Sequence, residues 1–240
     1  VTATADLERA ATAVLRGAVY ATGQVCYSVE RVYVHESVHD AFVGRLVEKA
    51  GAVRVNADDP RAGHIGPFTF APQAEIGTRH LEDARAKGAQ VLTGGKVEEI
   101  GGGLYMRPTV VTGGTHDMLI VQDDTFGPCI PVMAYADTEE AIRLANDTHF
   151  GLTASVIAGD ADEAMAIGRR INAGGIFLQD TFLTFAKLRT FGSDSFGWSG
   201  YGSPRIGPES LRRFLRRKSL LTQTGPVADI QDDHHLGRRK

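Results

Sequence analysis

Cysteine is scarce in this chain, whose 240 residues contain only Cys26 and Cys129. Two cysteines are too few for a disulfide scaffold, and we expect such a chain in a reducing, cytoplasmic setting. Long apolar runs are missing as well, because no stretch without Asp, Glu, Lys or Arg exceeds thirteen residues. A membrane-spanning helix needs about 18 or more such residues. The sequence therefore predicts neither a disulfide framework nor a membrane partner.

The chain also lacks a strong charge of either sign. It has 26 Lys and Arg residues against 29 Asp and Glu residues, for a formal net charge of −3. A nucleic-acid-binding chain typically carries a basic footprint, so we expect no nucleic-acid partner. The basic cluster within residues 212–218 indicates either a solvated helix face or a polyanion site. No group of Cys and His residues has the spacing of a zinc site, so no metal centre is predicted.

What the chain does contain is the composition and spacing of a folded domain. Hydrophobic residues make up 42% and charged residues 23%, which excludes a disordered chain. Apolar residues three and four apart predict a helix over 5–22 that ends at Gly23, and alternating residues predict a strand over 31–35. Ser37 is the predicted N-cap of a helix over 38–51. Further helices are predicted over 71–87, 138–146 (capped by Thr138) and 160–171, further strands over 90–93, 108–111, 130–134, 152–157 and 175–178, and an irregular Gly-rich stretch over 94–103.

This alternation of strands and helices indicates an α/β fold with a mainly parallel sheet flanked by helices. Residues 1–22 form the first helix, and residues 23–179 hold the alternating elements. Residues 180–224 are predicted to form a loop, a helix and a terminal strand region. The loop covers residues 180–208, which are rich in Gly, Ser, Phe and Pro, and the helix covers 208–218. Residues 225–240 form a polar tail that we expect to fray.

Cys26 is the sharpest candidate for chemistry. It follows Gly23-Gln24-Val25 and lies between a predicted helix and a predicted strand, which places its thiol on a tight connection. A cysteine thiolate is a strong nucleophile, so this position suits a catalytic cysteine. The alternative is a small buried residue. Cys129 opens an apolar strand, and we expect it to be a core residue.

A second candidate is the segment that precedes Cys129. Asp123 and Asp124 stand before Phe126-Gly127-Pro128 and either face a ligand or form a polar turn that leads into the strand. Motifs of other enzyme classes are absent. The sequence has no Gly-x-Ser-x-Gly elbow, no Gly-x-Gly-x-x-Gly loop after a strand and no phosphate loop with Lys.

Together with other segments in the same order, Gly23-Gln24-Val25-Cys26 resembles the Gly-Gln-x-Cys nucleophile motif of the aldehyde dehydrogenase superfamily. The resemblance covers residues 3–221 in one register and corresponds to the C-terminal, catalytic half of that superfamily. The segments that carry it are 5–10, 31–35, Phe42-Val43, Ile65-Gly66-Pro67, 83–88, Thr93-Gly94-Gly95, Pro108-Thr109-Val110, Phe126-Gly127-Pro128, Asn146, Phe150-Gly151-Leu152 and 199–202.

This resemblance implies an α/β catalytic domain that oxidises a small-molecule aldehyde to a carboxylic acid with NAD or NADP. Cys26 is then the nucleophile, which forms a thiohemiacetal and then a thioester, and its backbone N–H helps to hold the oxyanion. Asp124 stands where the family usually has a glutamate that contacts the nicotinamide ribose, and Phe126 packs near the nicotinamide. Family members are usually dimers or tetramers, so a homo-oligomer is implied.

In the superfamily, the cofactor-binding half and the glutamate that activates water precede the matched region. Residues 1–22 thus resemble the helix at the junction of the two halves. Three interpretations stay open. The chain is an oxidoreductase half, inactive alone, that works with a cofactor-binding half of the same protein or of a second chain; it is a non-catalytic binding or oligomerisation module; or it is a cysteine esterase without a cofactor. Departures at Gln179, usually asparagine, and over 190–193 and 202–204 fall where substrate entry and subunit contacts are expected.

Overall fold

The computed structural model describes residues 1–57, 63–183, 194–200, 210–211, 214–216, 218–222 and 224. The predicted polar tail at 225–240 lies outside these residues, as does much of the helix predicted over 208–218. In the described part of the chain, no helix is both long enough and apolar enough to cross a bilayer.

The described helices and strands follow the predicted alternation. The helices are α1 (Leu7–Val19), α2 (Glu36–Gly51), α3 (Ala71–Ala86), α4 (Leu119–Gln122), α5 (Thr138–Asn146) and α6 (Ala161–Gly168). The strands are β1 (Val32–His35), β2 (Gln90–Val91), β3 (Val97–Ile100), β4 (Gly103–Met106), β5 (Thr109–Thr112), β6 (Cys129–Tyr135), β7 (Phe150–Gly151), β8 (Thr153–Val156), β9 (Gly175–Leu178) and β10 (Phe196–Gly197).

A four-stranded sheet forms the centre of the fold, in the order β1, β6, β5, β2. Strand β6 pairs in parallel with β1 on one side and with β5 on the other, and the short β2 pairs antiparallel at the edge. Strands β8 and β9 form a separate parallel pair, and β7 pairs antiparallel with β10. The predicted α/β fold with a mainly parallel sheet is confirmed.

Helices cover both faces of the central sheet because alternate residues of its strands point to opposite sides. On one face, α1 and α2 bury Phe42 with Ile130 of β6. On the other, α3 and α4 bury Leu81 and Ile120 with Met133 of β6. Each large side chain buried in this way stabilises the fold by roughly 1.5–3 kcal/mol.

The Gly-rich stretch at 94–103 was predicted to be irregular. It contains a strand, β3. Strands β3 and β4 form an antiparallel hairpin. Its turn residues Gly101 and Gly102 have φ values of +58° and +81°. Two successive residues in the left-handed region are what a tight hairpin turn requires, and glycine adopts that region without steric cost.

The predicted caps of two helices are wrong by one or two residues. His35 rather than Ser37 caps α2, and its ring Nδ1 accepts the N–H of Ser37 at 3.2 Å. Asp137 rather than Thr138 caps α5, and its carboxylate accepts the N–H of Glu140 at 2.9 Å. A capping acceptor must stand two or three residues before the free N–H that it satisfies, and the earlier residue meets this condition in both helices.

Candidate active site

The loop that carries Cys26 has an unusual backbone. After α1 ends, Ala21, Thr22 and Gly23 have φ values of +49°, +61° and +73°. This left-handed region costs roughly 1–2 kcal/mol for a residue with a side chain. The hydroxyl of buried Thr22 donates to the carbonyl oxygen of Gly66 at 3.0 Å, which holds the loop in its strained form. Strain of this kind is concentrated at functional sites.

Gly23 brings this loop into main-chain contact with the turn at 124–127. A Cβ atom at Gly23 would lie 2.3 Å from the carbonyl oxygen of Gly127 and 2.5 Å from its carbonyl carbon. Only glycine permits so close an approach. Phe126, the neighbour of Gly127, is itself left-handed at φ +46°. The two candidate segments are therefore packed against each other through backbone atoms.

Cys26 is exposed, so it is not the small buried residue of the alternative interpretation. It lines a cavity of about 420 Å³ together with Glu30, Asp124 and Phe126. The backbone N–H of Cys26 makes no hydrogen bond to any residue that the structure describes. One residue at this cavity therefore offers both an accessible thiol and an unpaired N–H donor.

Asp124 lies at the rim of the cavity, with Phe126 half-buried beside it. The pKa of Asp124 is raised, mainly because the surrounding protein removes part of its hydration and next because of the charge of Asp123. An ionised carboxylate is a pure hydrogen-bond acceptor. Among the described residues, no donor bonds to the Asp124 carboxylate, so its oxygens are available to a ligand.

Glu30 is a residue of this cavity that sequence reasoning missed. Its carboxyl group accepts the N–H of Thr125 through Oε2 and the N–H of Phe126 through Oε1, each at 3.2 Å. Burial raises the pKa of Glu30 to about 8, the two N–H donors oppose that shift, and the charge of Asp124 adds to it. The sequence offered one weak signal, an acid four residues after Cys26.

An aromatic cluster that includes Tyr27, the next residue after Cys26, was missed as well. The Phe182 ring lies 4.6 Å from the Tyr20 ring and 5.8 Å from the Tyr27 ring, measured between centroids. The guanidinium carbon of Arg16 lies 4.6 Å from the centroid of the same Phe182 ring. Phe182 is distant from the others along the chain, so no local pattern could have joined them.

Cys129 is a core residue, as predicted. It is 1% exposed at the start of β6, and its Sγ contacts Sδ of Met106 at 3.5 Å. Burial holds the pKa of the Cys129 thiol far above its ordinary value, and the nearby Glu30 carboxyl group adds to the shift. A buried thiol that stays protonated is a poor nucleophile.

The two cysteines therefore differ in reactivity, which alkylation can measure. We expect iodoacetamide to modify the folded chain at Cys26 and to leave Cys129 unmodified until the chain unfolds. Peptide mapping by mass spectrometry after timed labelling identifies the modified residue, and a Cys26→Ser variant should take up no label while folded. Labelling of Cys129 in the folded chain at a rate close to that of Cys26 would contradict this placement.

Gln179, which departs from the family pattern, is used within the fold. Its φ is +64°, and its side-chain amide bonds to the backbone of Ala158 in both directions, at 3.0 and 3.1 Å, and donates to the carbonyl of Asp160 at 2.9 Å. Its own carbonyl accepts from Nε of Arg9 at 3.0 Å. The departures at 190–193 and 202–204 lie outside the described residues.

Comparison with known proteins shows the family of the chain. The chain matches the sequence model of the aldehyde dehydrogenase family over residues 1–220. The mitochondrial aldehyde dehydrogenase of Leishmania tarentolae is 36% identical over 217 residues, which are 90% of this chain and 42% of that protein.

Two solved structures are similar over nearly the whole chain. PutA of Anabaena variabilis gives a TM-score of 0.87 at 44% identity and covers 95% of this chain and 49% of its own. A double mutant of betaine aldehyde dehydrogenase from Staphylococcus aureus, in complex with NAD+, gives a TM-score of 0.85 at 30% identity. The match covers 95% of this chain and 45% of the betaine aldehyde dehydrogenase chain.

The chain thus spans slightly less than half the length of these relatives, between 42% and 49%. The family match extends over most of its described residues, and the fold agrees with that of the solved relatives. The chain belongs to the aldehyde dehydrogenase family.

Proposed function

We propose that this chain supplies the catalytic domain of an NAD(P)-dependent aldehyde dehydrogenase, with Cys26 as the nucleophile. The observation that carries the proposal is the exposed Cys26 thiol, with an unpaired backbone N–H on the same residue, at the cavity that it shares with Asp124 and Phe126. A nucleophile and an oxyanion donor in one place are what acyl-transfer chemistry requires.

The first step is attack of the Cys26 sulfur on the aldehyde carbonyl carbon. The thiol first loses its proton to solvent water; the thiolate then forms a C–S bond, and the carbonyl oxygen becomes the oxyanion of a thiohemiacetal. The N–H of Cys26 donates to that oxyanion. A nicotinamide cofactor, when bound, supplies the hydride acceptor for oxidation to the Cys26 thioester. Water then hydrolyses the thioester, which releases the carboxylic acid and restores the thiol.

The residues of the 124–127 turn fit the nicotinamide end of such a cofactor. The Asp124 carboxylate has free acceptor oxygens for ribose hydroxyl groups, and Phe126 offers an apolar ring beside it. Asp124 is one methylene shorter than the glutamate of the family pattern, so we expect a longer or water-bridged hydrogen bond to the ribose. We assign the binding of the rest of the cofactor to the cofactor-binding half, which precedes the matched region in the family.

The substrate is a small-molecule aldehyde. Tyr27 follows the nucleophile in the chain and lines the same cavity, and its ring packs on that of Phe182. We propose that Tyr27 gives an approaching aldehyde apolar surface to contact. Aromatic side chains of this kind supply a large part of the contact energy in small-molecule sites.

The 240-residue chain is expected to show no dehydrogenase activity by itself. Hydride transfer requires a cofactor held in place, and we assign most of the cofactor contacts to the other half of the enzyme. The measurement is the absorbance of reduced cofactor when the purified chain is mixed with NAD or NADP and several aldehydes. Clear aldehyde-dependent reduction by the chain alone would contradict the requirement for a second half.

Activity should appear when a cofactor-binding half is supplied. The test joins the part of Anabaena PutA that lies outside the match, where we expect the remaining cofactor contacts, to the N-terminal side of this chain. Aldehyde-dependent reduction of NAD or NADP by the joined protein supports the proposal. A folded joined protein without such activity favours the non-catalytic alternative.

A further inference from the structure

The carboxyl group of Glu30, a residue outside the 124–127 turn, binds this turn through two backbone N–H groups. Both oxygens of Glu30 are engaged, one by the N–H of Thr125 and the other by the N–H of Phe126. Two successive N–H groups are thus tied to one side chain, at the point where Phe126 takes its left-handed conformation. Such a residue persists in that conformation only where surrounding contacts enforce it.

Side chains of α3 make a second set of polar contacts with Thr125. The side-chain amide of Gln73 donates to the Thr125 carbonyl. Nδ1 of His80 lies 3.1 Å from the Thr125 hydroxyl, and that hydroxyl also bonds to the Glu30 carboxyl group. His80 is 1% exposed, and its Nε2 has no partner among the described residues.

When Glu30 is ionised, these contacts favour one arrangement of the protons. If Thr125 donates its hydroxyl proton to Glu30, its oxygen is left to accept from Nδ1–H of His80. Nε2 of His80 is then a bare acceptor. The opposite arrangement leaves a buried N–H without a partner, which is rare in folded proteins. The ionised form of Glu30 therefore favours a single direction for the chain of hydrogen bonds.

We propose that Glu30 is a positioning residue of this site, whose carboxylate holds the 124–127 turn against the loop that carries Cys26. The proposal rests on the function proposed for Cys26. A short series of contacts connects Glu30 to the nucleophile. Glu30 accepts the N–H groups of Thr125 and Phe126. The next residue, Gly127, contacts Gly23, which lies three residues before Cys26. Glu30 acts through these segments and does not touch the reacting atoms.

The strength of this hold depends on pH. The carboxylate accepts both N–H groups fully, whereas the protonated acid has one strong acceptor oxygen and one weak one. The pKa of Glu30, raised to about 8 by burial, places the change between neutral and alkaline pH. The groups that face Glu30 are Asp124 from the turn, Cys129 from β6 and, through Thr125, the neutral His80 of α3.

Nuclear magnetic resonance tests the hold in the full chain. We expect the amide protons of Thr125 and Phe126 to move downfield together as pH rises from 6 to 9.5, because hydrogen bonds to a charged acceptor are shorter and stronger. The midpoint should lie near 8 and should fall in an Asp124→Asn variant, which removes a neighbouring negative charge. His80 should show an unprotonated Nε2 in its ring 15N spectrum at high pH.

The Glu30→Gln variant separates positioning from mere stability. Glutamine keeps one acceptor oxygen but turns an NH2 group toward the second N–H, so the turn must shift. We expect acylation of Cys26 by p-nitrophenyl acetate to fall about tenfold, because we expect the thiol to shift by less than the misplacement of about 1 Å that costs on the order of 100-fold. Alkylation by iodoacetamide should fall less, because it needs no oxyanion donor. The exposed Glu48→Gln on α2 is the matched control, with both rates unchanged.

Each outcome decides the proposal. Absence of the paired amide titration in the wild-type chain, or its persistence in a folded Glu30→Gln variant, would overturn it. So would an unchanged ratio of acylation to alkylation in that variant. If Glu30→Gln does not fold, two results still test the proposal: the amide titration of Thr125 and Phe126 in the wild-type chain, and the lower midpoint of that titration in Asp124→Asn. A wild-type chain that is not acylated at Cys26 counts against the proposed function alone, because the amide titration does not depend on the thiol.

Discussion

Replacing Cys26 by alanine should abolish aldehyde oxidation in the enzyme that contains this chain. The thiol sulfur is the atom that bonds to the substrate. In other enzymes, loss of the covalent nucleophile lowers kcat by roughly 10⁶-fold. The measurement compares aldehyde-dependent NAD or NADP reduction by the joined protein with and without Cys26→Ala. The same substitution in the chain alone should remove its acylation by p-nitrophenyl acetate.

Cys129→Ala is the matched control for this prediction. Cys129 is buried against Met106 and away from the exposed thiol, so its truncation leaves a small cavity and no chemical loss. We expect about 1 kcal/mol of lost stability and retained activity. Retained oxidation in Cys26→Ala, or equal loss in both variants, would remove Cys26 from the mechanism.

Gly23→Ala should also impair the site, although it changes no side chain that lines the cavity. The new Cβ would lie 2.3 Å from the Gly127 carbonyl oxygen, and the φ of +73° disfavours any residue but glycine. The neighbour is backbone and cannot rotate aside, so the Cys26 loop must shift away from the 124–127 turn. Acylation of Cys26 should fall about 100-fold, and the unfolding free energy by about 2 kcal/mol or more.

Gly44→Ala is the control for Gly23→Ala. Gly44 lies on α2, and a Cβ there meets no atom within 4 Å. Alanine in place of glycine inside a helix should raise the unfolding free energy by about 0.5–1 kcal/mol. Denaturant unfolding and acylation rates measure both variants. A Gly23→Ala chain that is acylated as fast as the wild type would show that the close backbone contact has no role in placing the thiol.

The fold was largely predictable because its helices and strands leave a local trace in the sequence. Apolar residues of α1 recur every three or four positions, and those of β6 form an uninterrupted run, so both elements are evident without a structure. The caps of α2 and α5 were harder to place, since Ser37 and Thr138 are good capping residues that stand too late in the chain to reach the free N–H groups.

The site was predictable only in part. The position of Cys26 on a tight connection indicated a nucleophile, but Asp124 and Phe126 were assigned through the family resemblance, since their spacing alone also fits a polar turn. The contacts of Thr22 with Gly66 and of Glu30 with Thr125 join residues far apart in the chain. Such contacts depend on how the helices and strands pack, and the periodicity of apolar residues in the sequence does not predict them.

The most direct measurement is a burst experiment with p-nitrophenyl acetate on the 240-residue chain. Attack by the Cys26 thiol releases p-nitrophenolate and leaves an acetyl thioester, which we expect to hydrolyse slowly because we assign the activation of water to the other half of the enzyme. We predict a rapid burst of one equivalent of p-nitrophenolate, then slow turnover, with the acetyl group mapped by mass spectrometry to Cys26 and absent from Cys129. Steady hydrolysis without a burst, or an equal burst in Cys26→Ala, would contradict the role of Cys26 as the nucleophile of an aldehyde dehydrogenase.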